Sequence, residues 1–222
     1  MLNATMATLR FRKIREMITQ QFNKIYYDSL VWAEGKTRWL GVPIQKFPTD
    51  LWIYQEIIFE ERPDVIIETG TANGGSALFF ASLFDLIGKG EIITIDVEDV
   101  KKRPKHDRIT YLLGSSISEE IIEQVKRVAN GKEKVMVILD SDHHKEHVLN
   151  ELRIYNSFVT EKSYLIVEDT NINGHPVAKE FGPGPLEAVE EFLKENKHFV
   201  VDKNKEKFFL TANPRGYLKK TN

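Results

Sequence analysis

The sequence predicts an α/β protein with a mostly parallel, seven-stranded sheet, helices on both of its faces and an antiparallel hairpin at its C-terminal end. From residue 51 onward, short apolar runs alternate with segments of helical composition, which is the pattern of buried parallel strands joined by helices. A glycine-rich turn follows the first of these runs. The last two runs are separated by the polar residues 202–206, and this spacing predicts the closing hairpin.

The predicted strands are continuous apolar runs, and the strongest is VMVILD at 135–140. Runs of this kind are typical of strands that are buried on both faces. The seven runs lie at 64–68, 91–96, 109–113, 135–140, 163–168, 198–201 and 207–211.

The predicted helices follow turn or capping residues. Pro-Thr-Asp at 48–50 precedes the first helix, and Ser118 with two glutamates opens the third at the positive end of the helix dipole. The helices are predicted at 51–60, 76–86, 118–129, 147–156 and 186–195. We expect residues 1–50 to form an N-terminal helical extension and residues 51–222 to form the main domain.

The composition is that of an ordinary soluble domain. The chain has 222 residues, with 31 Lys and Arg against 33 Asp and Glu, and 41% of its residues are hydrophobic. The near-neutral charge provides no electrostatic reason to expect nucleic acid or an anionic membrane as the main partner. Because there is no cysteine, disulfides, thiolate metal sites and thiol nucleophiles are excluded.

Targeting signals are also absent from the sequence pattern. No apolar run approaches the ~20 residues that span a bilayer. Residues 1–15 mix basic and apolar side chains, but they lack the apolar centre and cleavage site of a secretory signal, and we expect a surface-packing helix there. These features predict a cytoplasmic protein.

Acidic side chains end four of the predicted strands: Glu68, Asp96, Asp140 and Glu168. Packing does not require acids at these positions. Parallel sheets bind their ligands beyond the carboxyl ends of the strands, so we expect the four acids to face one crevice.

The turn at 68–76, with the sequence ETGTANGGS, predicts a cofactor site. Its spacing differs from G-x-G-x-x-G, and no phosphate-binding Lys-Ser/Thr pair follows, which disfavours NAD and ATP. An acid before the glycines would repel a pyrophosphate but suits the cationic amino-acid end of S-adenosylmethionine. Asp96 is expected to accept hydrogen bonds from ribose hydroxyls, and Ser115 to border the adenine. The candidate cofactor-binding residues are Glu68, Gly70, Thr71, Gly74, Ser76, Asp96, Ser115 and Asp140.

A second cluster of polar residues predicts a magnesium site. The segment DSDHHK at 140–145 and the pair Glu168-Asp169 each follow a predicted strand. Converging carboxylates repel one another unless a cation lies among them, and Mg²⁺ prefers such oxygen ligands. The adjacent histidines could suggest zinc, but the excess of carboxylates and the missing thiolates favour magnesium.

His143, His144 and Lys145 are the candidate general bases. A neutral imidazole is available near pH 7, whereas the lysine would need burial to lower its pKa. The irregular stretch at 171–185, rich in Gly and Pro, is predicted to form a lid over the site.

Five motifs together resemble the cephalosporin hydroxylase/rhamnosyl O-methyltransferase family. The resemblance covers residues 38–218 and depends on the order of all five segments. They are WLGVPIQKFPTDLWIYQE (39–56), ETGTANGGS (68–76), LDSDHHKEHVLNEL (139–152), IVEDTNINGHPV (166–177) and FGPGPLEAVEEFL (181–193).

This resemblance implies the Rossmann-like fold of class I S-adenosylmethionine-dependent methyltransferases and a magnesium-assisted methyl transfer. Carried over to this sequence, the implied metal ligands are Asp142, Glu168 and Asp169, with Asp140 as an alternative to Asp142. Nothing in the sequence resembles an iron facial triad or a flavin site, so oxygenation is not expected.

The predicted function is therefore O-methylation of a hydroxyl on a small molecule, a sugar or a glycosylated metabolite. The alternatives are a Rossmann oxidoreductase linked to NAD or a nucleotide sugar, and a metabolite-binding protein without catalysis. The expected partner is the small-molecule acceptor, with no nucleic acid and no membrane. The aromatic N-terminal segment would allow a homo-oligomer, although packing within the chain is the competing explanation.

Overall fold

A computed structural model describes residues 2–33 and 35–221, with side chains from residue 10 onward. Its main sheet has seven strands in the spatial order β5-β4-β3-β6-β7-β9-β8. The strands are β3 (Val65–Thr69), β4 (Glu91–Asp96), β5 (Ile109–Leu113), β6 (Val135–Leu139), β7 (Tyr164–Val167), β8 (Phe199–Val201) and β9 (Tyr217–Lys220), and a separate small sheet pairs β1 (Arg38–Trp39) with β2 (Val42–Pro43). The five strands from β5 to β7 are parallel, and β9 runs antiparallel to both of its neighbours.

Helices cover both faces of this sheet. They are α1 (Leu2–Asp28), α2 (Pro48–Glu61), α3 (Gly75–Ile87), α4 (Glu119–Ala129), α5 (Lys145–Tyr155) and α6 (Pro185–Glu195). Successive residues of β3 enter opposite cores: Val65 packs with α4, α5 and α6, whereas Ile66 packs with α2 and α3. This double burial explains why the central strands are apolar along their whole length.

The predicted fold class is confirmed, including the seven strands and the antiparallel C-terminal pair, but the predicted strand at 207–211 is wrong. A short 3₁₀ helix, Lys203–Glu206, precedes that segment. Phe209 has a φ of 65° and lies half exposed, and this backbone conformation does not continue a strand. The second strand of the hairpin is instead Tyr217–Lys220, whose first two residues are fully buried.

Helix α1 (Leu2–Asp28) packs against the rest of the chain through its C-terminal part. Asn23 of α1 donates a hydrogen bond to the Phe209 carbonyl, and the Tyr26 ring packs edge-on against Phe47. Among the described residues, no helix combines the length and apolarity needed to cross a membrane. The domain boundary at residue 50 remains a prediction.

We predict that Gly70→Ala lowers the free energy of unfolding far more than Gly88→Ala does. The φ angle is +87° at Gly70 and +85° at Gly88, so adding a side chain in this left-handed conformation costs roughly 1–2 kcal/mol of stability at either position. A Cβ at Gly70 would lie 1.9 Å from the Asp140 carbonyl oxygen, whereas nothing lies within 4 Å at Gly88. The clash should add roughly 1–3 kcal/mol, measured by urea unfolding. Equal losses in the two variants would contradict the close approach of these backbones.

Candidate functional site

A cavity of about 540 Å³ opens beyond the carboxyl ends of the parallel strands. The glycine turn, the ends of β4, β5 and β6, the N-terminal segment and the 171–185 loop all contribute to its walls. The sequence-predicted site residues that line it are Gly70, Thr71, Ser76, Asp96, Ser115, Asp140, Asp142, His143 and Asp169. The sheet therefore brings most of the predicted site residues to one cavity, as parallel-strand topology requires.

The glycine turn is fastened to the neighbouring strand ends. One carboxylate oxygen of Asp96 accepts hydrogen bonds from the backbone N–H groups of Thr71 (3.1 Å) and Ala72 (2.7 Å) and from the Arg103 guanidinium (3.0 Å). Gly70 lies so close to the Asp140 backbone that no side chain fits between them. The turn is thus held rigidly along one wall of the cavity.

Glu68 and Gly74 do not line the cavity. Glu68 lies fully buried beneath the turn, where Thr94 donates a hydrogen bond of 2.6 Å to Oε2. Its Oε1 has no hydrogen-bond partner among the described residues. Burial raises the pKa of Glu68, and the charge of Lys46 opposes that rise.

Asp140, His143 and Asp169 form the cluster at the centre of the cavity, with one candidate ligand atom of each lying within 4.8 Å of the others. His143 Nε2 is 3.2 Å from an Asp169 carboxylate oxygen. The pKa of Asp140 is raised above its ordinary value, chiefly by burial. The charge of Lys46 opposes this rise, and the negative charge of Asp169 adds to it. Burial would lower the pKa of His143, but the charges of Asp169 and Asp140 outweigh burial and raise it.

The residue that sequence reasoning missed is Lys46. Its side chain is 3% exposed, and its ammonium bonds to Asp140 (2.5 Å) and Glu168 (2.7 Å). Burial alone would lower the pKa of Lys46, but the two carboxylates raise it above its ordinary value, so the lysine stays charged. No periodicity or spacing singles out this lysine, although it lies within the segment 39–56 that carries part of the family resemblance.

Glu168 and Asp169 are adjacent in sequence but have different surroundings. Glu168 is buried, and its Oε1 accepts hydrogen bonds from Lys46 and from the Tyr54 hydroxyl (2.7 Å). Asp169 faces the cavity with a φ of 54°, and its backbone N–H donates to the Asn213 side chain (3.1 Å). The two neighbouring carboxylates therefore point in different directions.

The remaining predicted residues lie apart from the cluster. Asp142 lines the cavity, but its Oδ1 accepts hydrogen bonds from the backbone N–H (2.8 Å) and ring Nδ1 (2.6 Å) of His144. The His144 ring is exposed beside Phe181, and the Lys145 ammonium pairs with Glu191 at 2.6 Å. Of the three candidate bases, the structure therefore brings only His143 into the cluster.

The 171–185 loop has a defined conformation because Glu187 ties its two ends to α6. The Glu187 carboxylate accepts hydrogen bonds from Asn173 (2.9 Å), His175 (2.8 Å) and the Gly184 backbone N–H (2.8 Å). Burial alone would raise the pKa of Glu187, but these hydrogen bonds outweigh it and lower the pKa to about 2. The loop thereby holds Ile172 and Phe181 at the cavity.

The fold is that of the class I methyltransferases. A solved structure of CmcI with Mg and SAM (S-adenosylmethionine) superposes with a TM-score of 0.67 at 21% identity, over 85% of this chain and 78% of that chain. A structure of the MycE methyltransferase from the mycinamycin biosynthetic pathway, in complex with Mg and SAH (S-adenosylhomocysteine), superposes with a TM-score of 0.51 at 19% identity, over 68% and 41%. These likenesses establish the architecture.

Sequence comparison identifies the family. The family model Rhamnosyl O-methyltransferase/CmcI matches residues 31–221. The rhamnosyl O-methyltransferase of Mycobacterium tuberculosis (strain H37Rv) is 38% identical over 224 residues, which cover 97% of this chain and 90% of the relative. That of Mycobacterium leprae is 37% identical over 91% and 90%. The chain belongs to the rhamnosyl O-methyltransferase/CmcI family, and the resemblance inferred from its five motifs is confirmed.

We predict that Lys46→Met lowers the free energy of unfolding at pH 7 by about 3–5 kcal/mol, because it leaves the buried Glu168 and the partly buried Asp140 without a counter-charge. Urea unfolding measures this loss. Lys89→Met is the matched control, since the Lys89 ammonium pairs with Asp64 at the surface and is 49% exposed, and it should cost at most about 1 kcal/mol. Similar losses in both variants would show that the Lys46 bridge contributes no more than a surface pair.

We predict that Glu187→Gln lowers the free energy of unfolding near neutral pH by about 1–2 kcal/mol, allowing for the partial exposure of the carboxylate. Because the folded-state pKa of Glu187 is lowered to about 2, its contribution is present above the ordinary glutamate pKa and is lost as the pH falls toward 2. The difference between wild type and variant should therefore narrow as the pH falls from about 5 toward 2. Glu190→Gln, which breaks only the exposed pair with Arg215, is the control. A difference in the free energy of unfolding that does not change with pH would contradict the lowered pKa of Glu187.

Proposed function

We propose that this protein is an S-adenosylmethionine- and Mg²⁺-dependent O-methyltransferase that acts on a hydroxyl of a sugar or glycoside. The observation that carries the proposal is the convergence of Asp140, His143 and Asp169 beside a rigid glycine turn in one cavity. Family membership supports it, since the curated relatives are rhamnosyl O-methyltransferases. The CmcI and MycE structures contain Mg together with SAM or SAH.

The chain's own donor atoms fit a hard divalent cation. Two carboxylates, Asp140 and Asp169, bring oxygens within 4.8 Å of each other, and Mg²⁺ is commonly held by one or two carboxylates with water completing its shell. We therefore assign the metal to Asp140 and Asp169, and choose Asp140 over Asp142 because the Asp142 carboxylate is turned toward His144. Glu168, which Lys46 and Tyr54 engage, remains a predicted ligand.

The fit to the methyl donor comes from the other part of the cavity. The glycine turn presents Gly70, Thr71 and Ser76, and Asp96 and Ser115 lie at the ends of the two next strands. Asp96 already binds the turn through one oxygen, while its second oxygen accepts a hydrogen bond of 2.9 Å from the Glu98 backbone. Its proposed role is therefore both to shape the turn and to border the ribose.

When bound, S-adenosylmethionine supplies an electrophilic methyl group and Mg²⁺ lowers the pKa of a coordinated hydroxyl. Asp140 and Asp169 would hold the metal, and His143, whose Nε2 lies 3.2 Å from an Asp169 carboxylate oxygen, is the proposed acceptor of the hydroxyl proton. Holding both reactants in line can supply ~7–11 kcal/mol of the barrier reduction. The 171–185 loop would exclude water from the closed site.

The oxidoreductase alternative finds less support. The turn lacks the G-x-G-x-x-G spacing, and Lys46 is the only lysine or arginine among the described residues that line the cavity. Calorimetry with S-adenosylmethionine, S-adenosylhomocysteine and NAD separates the two hypotheses. Binding of NAD without binding of the sulfonium cofactor would overturn the proposed function.

The decisive test measures methyl transfer from S-adenosylmethionine to methyl α-L-rhamnopyranoside with added Mg²⁺. We expect turnover that EDTA abolishes and Mg²⁺ restores. We also expect Asp140→Asn to lose turnover and to weaken Mn²⁺ binding, followed by electron paramagnetic resonance, by at least about tenfold. Undiminished turnover in EDTA would contradict the metal's role.

Asp142→Asn is the matched control for Asp140→Asn, because it changes an acid two residues away on the same cavity wall. It should retain Mn²⁺ affinity, and both variants should retain affinity for S-adenosylhomocysteine. The reverse result, with Mn²⁺ binding lost only in Asp142→Asn, would assign the metal to Asp142 as the family resemblance implies.

Two other sequence-based expectations, a cytoplasmic location and self-association of the chain, remain predictions.

A further inference from the structure

The cavity extends across the strand ends in a definite order. The glycine turn follows β3, while Asp96 and Ser115 lie at the ends of β4 and β5 on one side of it. Asp140 and Asp169 follow β6 and β7 on the opposite side. If the methyl donor lies over β3, β4 and β5, as proposed above, the acceptor must lie over β6 and β7, beyond the Asp140–His143–Asp169 cluster.

Aromatic side chains from the N-terminal segment line the cavity there. Tyr27, at the C-terminal end of α1, and Trp32, in the loop that follows, are both cavity-lining residues. The Phe47 ring packs against Trp32, and the adjacent Lys46 bonds to Asp140 and Glu168 at the ends of β6 and β7. These contacts connect the aromatic pair to the side of the cavity that carries the cluster.

The two rings are fixed before any ligand binds. They are stacked with centroids 5.2 Å apart and planes inclined by 28°, and the Trp32 indole N–H donates a hydrogen bond of 3.0 Å to the Tyr27 carbonyl. The Phe47 ring packs against Trp32 with centroids 5.8 Å apart. Both Tyr27 and Trp32 remain half-buried, so part of each ring is free to contact a ligand.

The charges around this part of the cavity disfavour an anionic acceptor. Lys46 is the only lysine or arginine among the described cavity-lining residues, and Asp140 and Glu168 already engage its ammonium. Ile172 and Phe181 of the 171–185 loop add apolar surface. Because no unpaired lysine or arginine among these described residues is available to bind a phosphate, this end suits an uncharged ring with one apolar face.

We propose that Trp32 and Tyr27 form the wall of the acceptor subsite, on which the apolar face of an uncharged sugar ring packs during methyl transfer. The inference rests on the proposed function and names the residues that select its substrate. Trp32 is a specificity-determining residue in this scheme, because loss of its ring removes acceptor contacts without touching the metal cluster or the glycine turn.

The kinetic test compares Trp32→Ala, Trp32→Phe and Trp52→Ala with wild type, using methyl α-L-rhamnopyranoside and S-adenosylmethionine. We expect the acceptor KM to rise by about tenfold in Trp32→Ala, with kcat and S-adenosylhomocysteine affinity within about twofold of wild type. Trp32→Phe should recover most of the loss. Trp52→Ala is the control, since Trp52 is 58% exposed and bonds only to Glu56 by its indole N–H, and it should match wild type.

A binding experiment tests the wall independently of turnover. The sequence has three tryptophans, so Trp39→Phe combined with Trp52→Phe leaves Trp32 as the only indole fluorophore. With S-adenosylhomocysteine bound and no divalent metal added, p-nitrophenyl α-L-rhamnopyranoside should quench its emission saturably. Thymidine diphosphate-rhamnose should bind at least about tenfold more weakly, because no unpaired lysine or arginine lies among the described residues of the cavity.

The outcomes of the two experiments are distinguishable. An unchanged acceptor KM in Trp32→Ala, or no quenching by the rhamnoside, would overturn the aromatic wall while leaving methyl transfer intact. A parallel loss of S-adenosylhomocysteine affinity in Trp32→Ala would show a structural role and would also overturn it. Saturable quenching without turnover of any sugar would support the wall and contradict the proposed methyltransferase activity.

Discussion

The site depends on one buried ionic contact, the bridge from the Lys46 ammonium to Asp140 and Glu168. Two carboxylates that leave water at neighbouring strand ends carry a large desolvation cost and repel each other. The lysine offsets both effects, and the Tyr54 hydroxyl adds a neutral hydrogen bond to Glu168. Because Lys46 comes from the segment before α2, this contact also joins the N-terminal part of the chain to the sheet. The extension is therefore a component of the site.

The acidic residues at these strand ends have different partners. Glu168 is bound to Lys46 and Tyr54, whereas Asp140, Asp169 and the His143 imidazole bring one candidate ligand atom each within 4.8 Å of the others. Asp169 reaches this position through a left-handed backbone that Asn213 supports. The same N-terminal segment that provides Lys46 also places Trp32 and Tyr27 at the cavity. In the proposed site, charge compensation, metal ligation and acceptor contact are thus assigned to different residues of one cavity.

Particular residues show where reasoning from the sequence succeeded and where it failed. The central strands were predicted because burial on both faces demands continuous apolar runs, and Glu91–Asp96 agrees with its prediction at both ends. The run at 207–211 has the same apolar composition, but Thr211 and the Ala212 backbone donate hydrogen bonds to the buried Asp50 carboxylate instead of pairing in the sheet. A local pattern does not show which distant partner a segment will find, and here a buried acid determined the outcome.

By itself, the sequence determined the α/β class, the central parallel strands, the family and the set of strand ends at which the site lies, because these follow from periodicity and from motifs that are local in the chain. Only the tertiary structure decided which member of each pair of nearby polar residues joins the Asp140–His143–Asp169 cluster. His143 and His144, or Asp140 and Asp142, lie one or two residues apart, and their directions depend on backbone dihedral angles and on partners far away in sequence. Lys46 is the clearest case, since it meets Asp140 across 94 residues and its role exists only once the chain is folded.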